Sequence, residues 1–98
     1  MMIEIRKNTD ATIIEIVGRL DTTTAPMLEK AINEDIGDTK NLVLDMKAVQ
    51  YISSAGLRVL LGAQKKMQKI GSMKVTGVCE EVMEVFEMTG FADILVIE

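Results

Sequence analysis

Ser53 and Ser54 are the residues of this chain whose type and spacing could do chemistry. They lie in the stretch 46–61, MKAVQYISSAGLRVLL, where a short apolar segment gives way to apolar residues at helical spacing. A hydroxyl at that junction can cap the helix by accepting a backbone N–H of the first turn. It can also receive a phosphate, because free N–H groups and the positive end of the helix dipole favour negative charge. Both readings of Ser54, plain cap and modified switch, are open, and they are compatible. Phosphorylation would add a charge of about −1.5 to −2 to a chain whose formal net charge is already −4. The helix end would tolerate that charge, whereas an acidic or tightly packed partner surface would not.

Few other residues compete for a chemical role. Nucleophilic catalysis needs a base beside the nucleophile, and the chain has no histidine. Ser-Ala-Gly is not the Gly-x-Ser-x-Gly elbow. Lys47, Lys65, Lys66 and Lys69 read as a solvated face rather than as the base of a Ser-Lys pair. Glu80, Glu81, Glu84 and Glu87 read as helix surface. Asp21 and Asp45 each follow a strand in isolation, which makes neither a metal site nor an acid–base pair. No glycine-rich phosphate loop occurs. The residues therefore predict no enzyme, no cofactor and no metal, but a binding module whose state is set by modification.

Ninety-eight residues predict one domain, 1–98. An apolar share of 48% and a charged share of 27% are those of a soluble globular protein. The net negative charge argues against nucleic acid as a partner. Cys79, being single, excludes an internal disulfide and gives no metal-ligand spacing. The opening Met-Met-Ile-Glu-Ile-Arg-Lys lacks the apolar core of a signal peptide. No apolar run approaches the roughly 20 residues that span a bilayer, so membrane insertion is not expected and the cytoplasm is. Eight methionines against three aromatics predict a soft core, and methionine could also line an adaptable contact surface.

The elements that must position the serines follow from periodicity. Residues 3–6 alternate as a half-buried strand, 8–10 form a turn, and the β-branched run 12–17 is the hairpin partner. The stretch 22–26, Thr-Thr-Thr-Ala-Pro, reads as a helix entrance capped by a threonine, with Pro in the first turn. Leu28, Ala31, Ile32 and Ile36 then keep helical spacing until Gly37. Residues 41–45 read as a central strand. After Ser54, one helical face carries Leu57, Leu60, Leu61, Gln64, Met67 and Ile70, and Gly71 ends it. Residues 73–78 alternate again, 80–88 form a helix with Val82, Val85 and Phe86 inward, and 94–97 read as a last strand. The predicted order is β-β-α-β-α-β-α-β. Strand–helix alternation implies right-handed crossovers and a mixed, mostly parallel sheet in an α/β fold.

At these residues the chain resembles the STAS domain family, and within it the stand-alone bacterial anti-sigma factor antagonists. The likeness spans essentially the whole length. It rests on the opening hairpin, the Gly18-Arg19-Leu20-Asp21 segment followed by threonines, the strand Leu42-Val43-Leu44-Asp45, and Tyr51-Ile52-Ser53-Ser54-Ala55-Gly56-Leu57, in that order. Family members usually carry Asp-Ser-(Ser/Thr)-Gly-Leu at the second helix; here Ser53 stands in the Asp position and Ala55 in that of the second hydroxyl. The resemblance implies helices packed mainly on one sheet face. It implies Ser54 as the phosphorylated serine, with Ser53 as the second candidate. It implies an interface made of Asp21, Thr22, Thr23, Ser53, Ser54, Ala55, Gly56 and Leu57. The implied partners are an ATP-binding anti-sigma factor that is also a serine kinase, and a serine phosphatase. The unmodified protein would bind the kinase and free a sigma factor, and phosphorylation would end that binding. Two other readings accompany this one: a STAS adaptor in a transport or stress-signalling complex without a sigma factor, and a small enzyme using Ser54.

Overall fold

The computed structural model describes residues 2–98. Strands β1 (Met2–Lys7) and β2 (Thr12–Leu20) form the opening hairpin, followed by helix α1 (Ala25–Lys30). Strand β3 (Asn41–Ile52), helix α2 (Ser54–Ile70), strand β4 (Ser72–Thr76) and helix α3 (Glu80–Thr89) complete the regular elements. The sheet order is β1-β2-β3-β4. The hairpin is antiparallel, and β2–β3 and β3–β4 are parallel. Asn8 builds the hairpin turn by accepting the N–H groups of Asp10 and Ala11 on its side-chain oxygen, at 2.9 and 2.8 Å.

Burial follows the pleat. Ile14 and Ile16 of β2, Leu42, Leu44 and Met46 of β3, and Met73 and Val75 of β4 are buried. Their alternate neighbours Ile13, Glu15, Val43, Asp45 and Lys74 are half-exposed. The helices therefore cover one sheet face. They supply Leu28 and Ile32, Leu57, Leu60 and Met67, and Val82 and Phe86 to the same core. On the open face Lys47 bridges Glu15 and Asp45 at 3.4 and 3.0 Å. Burial of the Asp45 carboxyl acts to raise its pKa, but the Lys47 N–H and ammonium outweigh it and hold the group below its ordinary range.

Several expectations need correction. The last strand, 94–97, is a single parallel bridge between Ile97 and Val75. A short 3-10 turn, Phe91–Asp93, delivers the chain across the β4 edge. It is fixed there by Val75 N–H on the Val96 carbonyl and Glu98 N–H on the Val75 carbonyl, at 2.8 and 2.9 Å. Leu95 is buried in the core and Ile97 packs partly against it, while Ile94 and Val96 stay exposed. Strand β3 runs well past residue 45. Two bulges put an extra β3 residue opposite β2, so the buried positions step from Met46 to Val49 to Ile52 and the period of two is lost. Helix α1 continues as a π-helical turn, Ala31–Asp35, yet Leu28, Ala31, Ile32 and Ile36 are buried as read. On α2, Ile70 is exposed, while Val59 and Ala63 join the buried face. Past Met67 the helix runs beyond the layer it packs on. The methionines divide: Met46, Met67 and Met73 are core, and Met27 and Met88 are exposed.

Gly71 follows α2 where the chain passes close to the loop before β3. A Cβ there would lie 1.8 Å from the Lys40 carbonyl oxygen, so only glycine fits. Gln64 sits on the inner face of α2 with its side-chain oxygen buried and unpartnered among the described residues. Such a group carries its desolvation cost uncompensated. Gln64→Met, near-isosteric and apolar, is expected to raise stability by about 1 kcal/mol. Urea denaturation would read this as a higher midpoint at an unchanged slope.

Candidate functional site

The two sequence segments of interest meet at the carboxyl ends of the parallel strands. Register pairs Arg19 with Tyr51 and Leu20 with Ile52. The Ser53 N–H then donates to the Leu20 carbonyl at 2.9 Å, tying the turn after β3 to the loop after β2. Gly56 allows this approach. A Cβ there would meet Ile52 Cγ1 at 2.8 Å, Leu20 Cγ at 2.9 Å and the Leu20 carbonyl oxygen at 3.0 Å. The first turn of α2 thus packs directly on the strand ends.

Ser53, not Ser54, is the N-cap of α2. Its backbone is extended, its Oγ accepts the Gly56 N–H at 3.4 Å, and its carbonyl accepts the first intrahelical bond from Leu57. The capping reading of Ser54 is corrected accordingly. Two adjacent hydroxyls precede the helix pattern, and only the fold decides which has the extended backbone. Ser54 is the first helical residue and is exposed. Its own N–H and that of Ala55 precede the first intrahelical bond, as helix geometry requires. The Ser54 oxygen therefore lies at the positive end of a 17-residue helix. Arg58, exposed, follows one turn later.

The Asp21 loop is built by its own side chains. Asp21 Oδ1 accepts the Thr23 N–H at 3.0 Å, the Thr23 hydroxyl at 2.8 Å and the Thr24 N–H at 3.1 Å. The Thr24 hydroxyl accepts the Asp21 N–H at 2.8 Å and donates to the Arg19 carbonyl at 2.6 Å. The expected threonine side-chain cap of α1 does not form: Thr24 holds the N-cap position but makes no side-chain capping bond, and the Asp21 carboxylate orders the turn just ahead of the helix. The Thr23 hydroxyl, ahead of the Thr24 bonds, lowers the Asp21 pKa to about 2 against the opposing effect of partial desolvation. A depressed carboxylate pKa stabilises the fold above the unfolded value and loses that contribution as pH falls through the folded one. The loop is expected to hold its structure down to about pH 4 and to loosen from there towards about pH 2, the Asp21 value. Carbon-detected NMR titration of the Asp21 carboxyl, with the Thr23 and Thr24 amides as reporters, checks both the midpoint and the loosening.

The structure brings Asp21, Thr22, Thr23, Ser53, Ser54 and Ala55 to one end of the molecule. Thr22, Thr23 and Ser54 are exposed, and Asp21, Ser53 and Ala55 are half-buried. Gly56 and Leu57 are buried; they seat the helix under the surface rather than form it. A cleft of about 210 Å³ between α1 and α2 is lined by Thr22, Pro26, Ala55, Arg58 and Val59, among others. Sequence reasoning missed Arg58, although its spacing of four from Ser54 puts the two on one helix face. It also missed the Arg19–Tyr51 stack, with the guanidinium 4.1 Å from the ring centroid. That contact depends on the bulged β2–β3 register, which periodicity does not reveal. No cluster of three or more metal-ligating side chains occurs among the described residues. No described helix is long and apolar enough to cross a membrane.

The STAS domain model matches residues 2–98. The anti-sigma-B factor antagonist of Listeria monocytogenes is 32% identical over 99 residues, covering 98% of this chain and 87% of that protein. A solved anti-sigma factor antagonist from Mycobacterium paratuberculosis superposes with a TM-score of 0.88 at 25% identity, over 98% of this chain and 83% of the other. The phosphorylated form of the Bacillus cell fate determinant SpoIIAA shares the fold, with a TM-score of 0.76 at 15% identity, over 99% of this chain and 91% of the other. With the family model matching nearly the whole sequence and the predicted hairpin, crossovers and serine-bearing helix all in place, the chain belongs to the STAS domain family.

Proposed function

We propose that this chain is an anti-sigma factor antagonist that works by partner switching, with Ser54 as the switch. One observation carries the reading: Ser54 is the exposed hydroxyl at the mouth of α2, beside the Asp21 loop, while Ser53 is committed to capping. The names of the relatives supply the class of partner, an anti-sigma factor. In this reading the partner is also an ATP-dependent serine kinase, and the whole of 1–98 acts as one STAS module in the cytoplasm.

The unmodified protein binds the kinase through Thr22, Thr23, Ser54 and the cleft beside Ala55, and a sigma factor is freed. The kinase then transfers the γ-phosphoryl group of ATP to Ser54 Oγ. The bond to the β-phosphate oxygen breaks, ADP leaves, and the serine proton is lost. The phosphoserine is compatible with the fold, because free N–H groups of the first turn lie at that helix end and Arg58 follows four residues on, at the spacing that shares a helix face. It is incompatible with a close-packed interface, which would have to bury its charge. A serine phosphatase restores the binding form.

Incubation with ATP and the candidate kinase, followed by peptide mass spectrometry, tests the assignment. Phosphate on Ser54, absent from the Ser54→Ala variant, is the expected result. Phosphate on Ser53 alone, or none with a kinase that binds the protein, overturns it.

A further inference from the structure

The outer edge of the sheet lies away from Ser54 and takes no part in the switching surface. Among the described residues strand β1 pairs with β2 alone, so alternate residues along Met2–Lys7 present their N–H and C=O groups outward, where no described strand pairs with them. Beside it runs a groove of about 340 Å³ between β1 and α1, lined by Ile3, Ile5, Met27, Lys30 and Asp35. Met27 is 47% exposed there. An unpaired edge flanked by an apolar groove is a docking surface for another strand.

The charge pattern selects the occupant. On β1, Ile3 and Ile5 face the helix layer, in register with the buried Ile16 and Ile14, and Glu4 and Arg6 face the open side. A second copy can extend the sheet about a two-fold axis normal to it, which keeps both helix layers on the same side. Residues directly opposite must then share a face. An axis at Glu4 sets Glu4 against Glu4, and an axis at Arg6 sets Arg6 against Arg6; like charges placed so are unfavourable. An axis at Ile5 sets Glu4 against Arg6 twice and Ile5 against Ile5. Of the three registers centred within 4–6, only this one sets no like charges opposite each other; towards its ends it places Ile3 against Lys7, whose aliphatic stem can lie along the seam.

We propose that the β1 edge is a homodimer interface, with two copies pairing antiparallel through β1 about Ile5 into one continuous eight-stranded sheet. Glu4 of each copy meets Arg6 of the other. The grooves join into a shared apolar seam over Ile3, Ile5 and Met27, rimmed by Lys30 and Asp35 of opposite sign. Arg6 is already poised on the open face, 3.4 Å from Glu4 and 3.6 Å from Glu15 in its own chain.

Sedimentation equilibrium of the intact chain tests this. The expected wild-type result is a reversible monomer–dimer equilibrium that weakens with added salt. Glu4→Arg and Arg6→Glu, each alone, are expected to raise the dimer dissociation constant at least about tenfold. Circular dichroism checks that each variant is folded; both positions are exposed. An equimolar mixture of the two variants is the stringent arm, because it restores both opposite-charge pairs in a heterodimer. Recovery of dimer mass in the mixture supports the interface. A wild-type chain that stays monomeric up to about 1 mM, a dimer indifferent to both reversals, or a mixture that remains monomeric overturns it. None of these readouts involves Ser54, so the outcome stands apart from the switch assignment.

Discussion

Ser54→Asp is expected to fold as the wild type does and to lose its anti-sigma partner, with affinity falling about 100-fold, or about 2.7 kcal/mol. The two halves of this result have one cause seen from two sides. An acidic side chain in the first turn is favourable to the helix by a few tenths to about 1 kcal/mol. The same charge at an exposed contact must be desolvated when a partner closes over it. Ser54→Ala removes the acceptor hydroxyl and leaves the cap intact, because Ser53 Oγ holds the Gly56 N–H. It is expected to bind whether or not ATP and kinase are present. Ser53→Ala separates the two serines: it costs the cap, typically about 1 kcal/mol, and leaves the acceptor in place. Binding titrations by calorimetry and urea melts on the three variants read affinity and stability independently. A Ser54→Asp protein that binds as tightly as wild type would remove Ser54 from the switch.

Gly56→Ala is expected to lower both stability and binding. The added methyl falls within 3.0 Å of Ile52, of Leu20 and of the Leu20 carbonyl oxygen. Leu20 is fully buried and Ile52 nearly so. Neither has open space to retreat into, so the start of α2 must lift away from the strand ends. Overpacking of this kind costs roughly 1–3 kcal/mol, and in a domain of this size each kcal/mol lowers the melting temperature by about 4–8 °C. The lift also breaks the bond from Ser53 N–H to the Leu20 carbonyl, which sets the spacing between Ser54 and the Asp21 loop. Loss of binding beyond that explained by unfolding, in a variant still folded at the assay temperature, is the signature of misplaced surfaces. Thermal melts paired with binding at low temperature distinguish the two. A variant with wild-type melting temperature would show that the junction is looser than these distances imply.

Much of the fold was legible because burial and periodicity agree wherever the sheet is regular. The buried positions of β2 alternate through Thr12, Ile14 and Ile16, the second helix shows an apolar stripe from Leu57 to Met67, and Gly71 stops it. Legibility failed where the pleat is interrupted. The bulges in β3 shift its buried residues to a spacing of three, so its second half carries no strand pattern. The reverse error occurred at 94–97. Four β-formers in a row read as a strand, but a strand also needs a ladder of hydrogen bonds along its length, and after the Phe91–Asp93 turn only Ile97 bridges β4, at Val75.

The candidate site divides along the same line. Local order and residue type are enough to place a serine pair at the mouth of a helix and an Asp-Thr-Thr-Thr loop after a strand. That Ser53 caps and Ser54 is left exposed, that the Asp21 carboxylate orders its loop, and that Gly56 and Leu57 support the surface from beneath emerge from the packing. Those outcomes depend on parallel strands β2 and β3 ending level with each other. That juxtaposition joins residues some thirty positions apart through the Ser53–Leu20 bond, and no local pattern of polar and apolar residues encodes it.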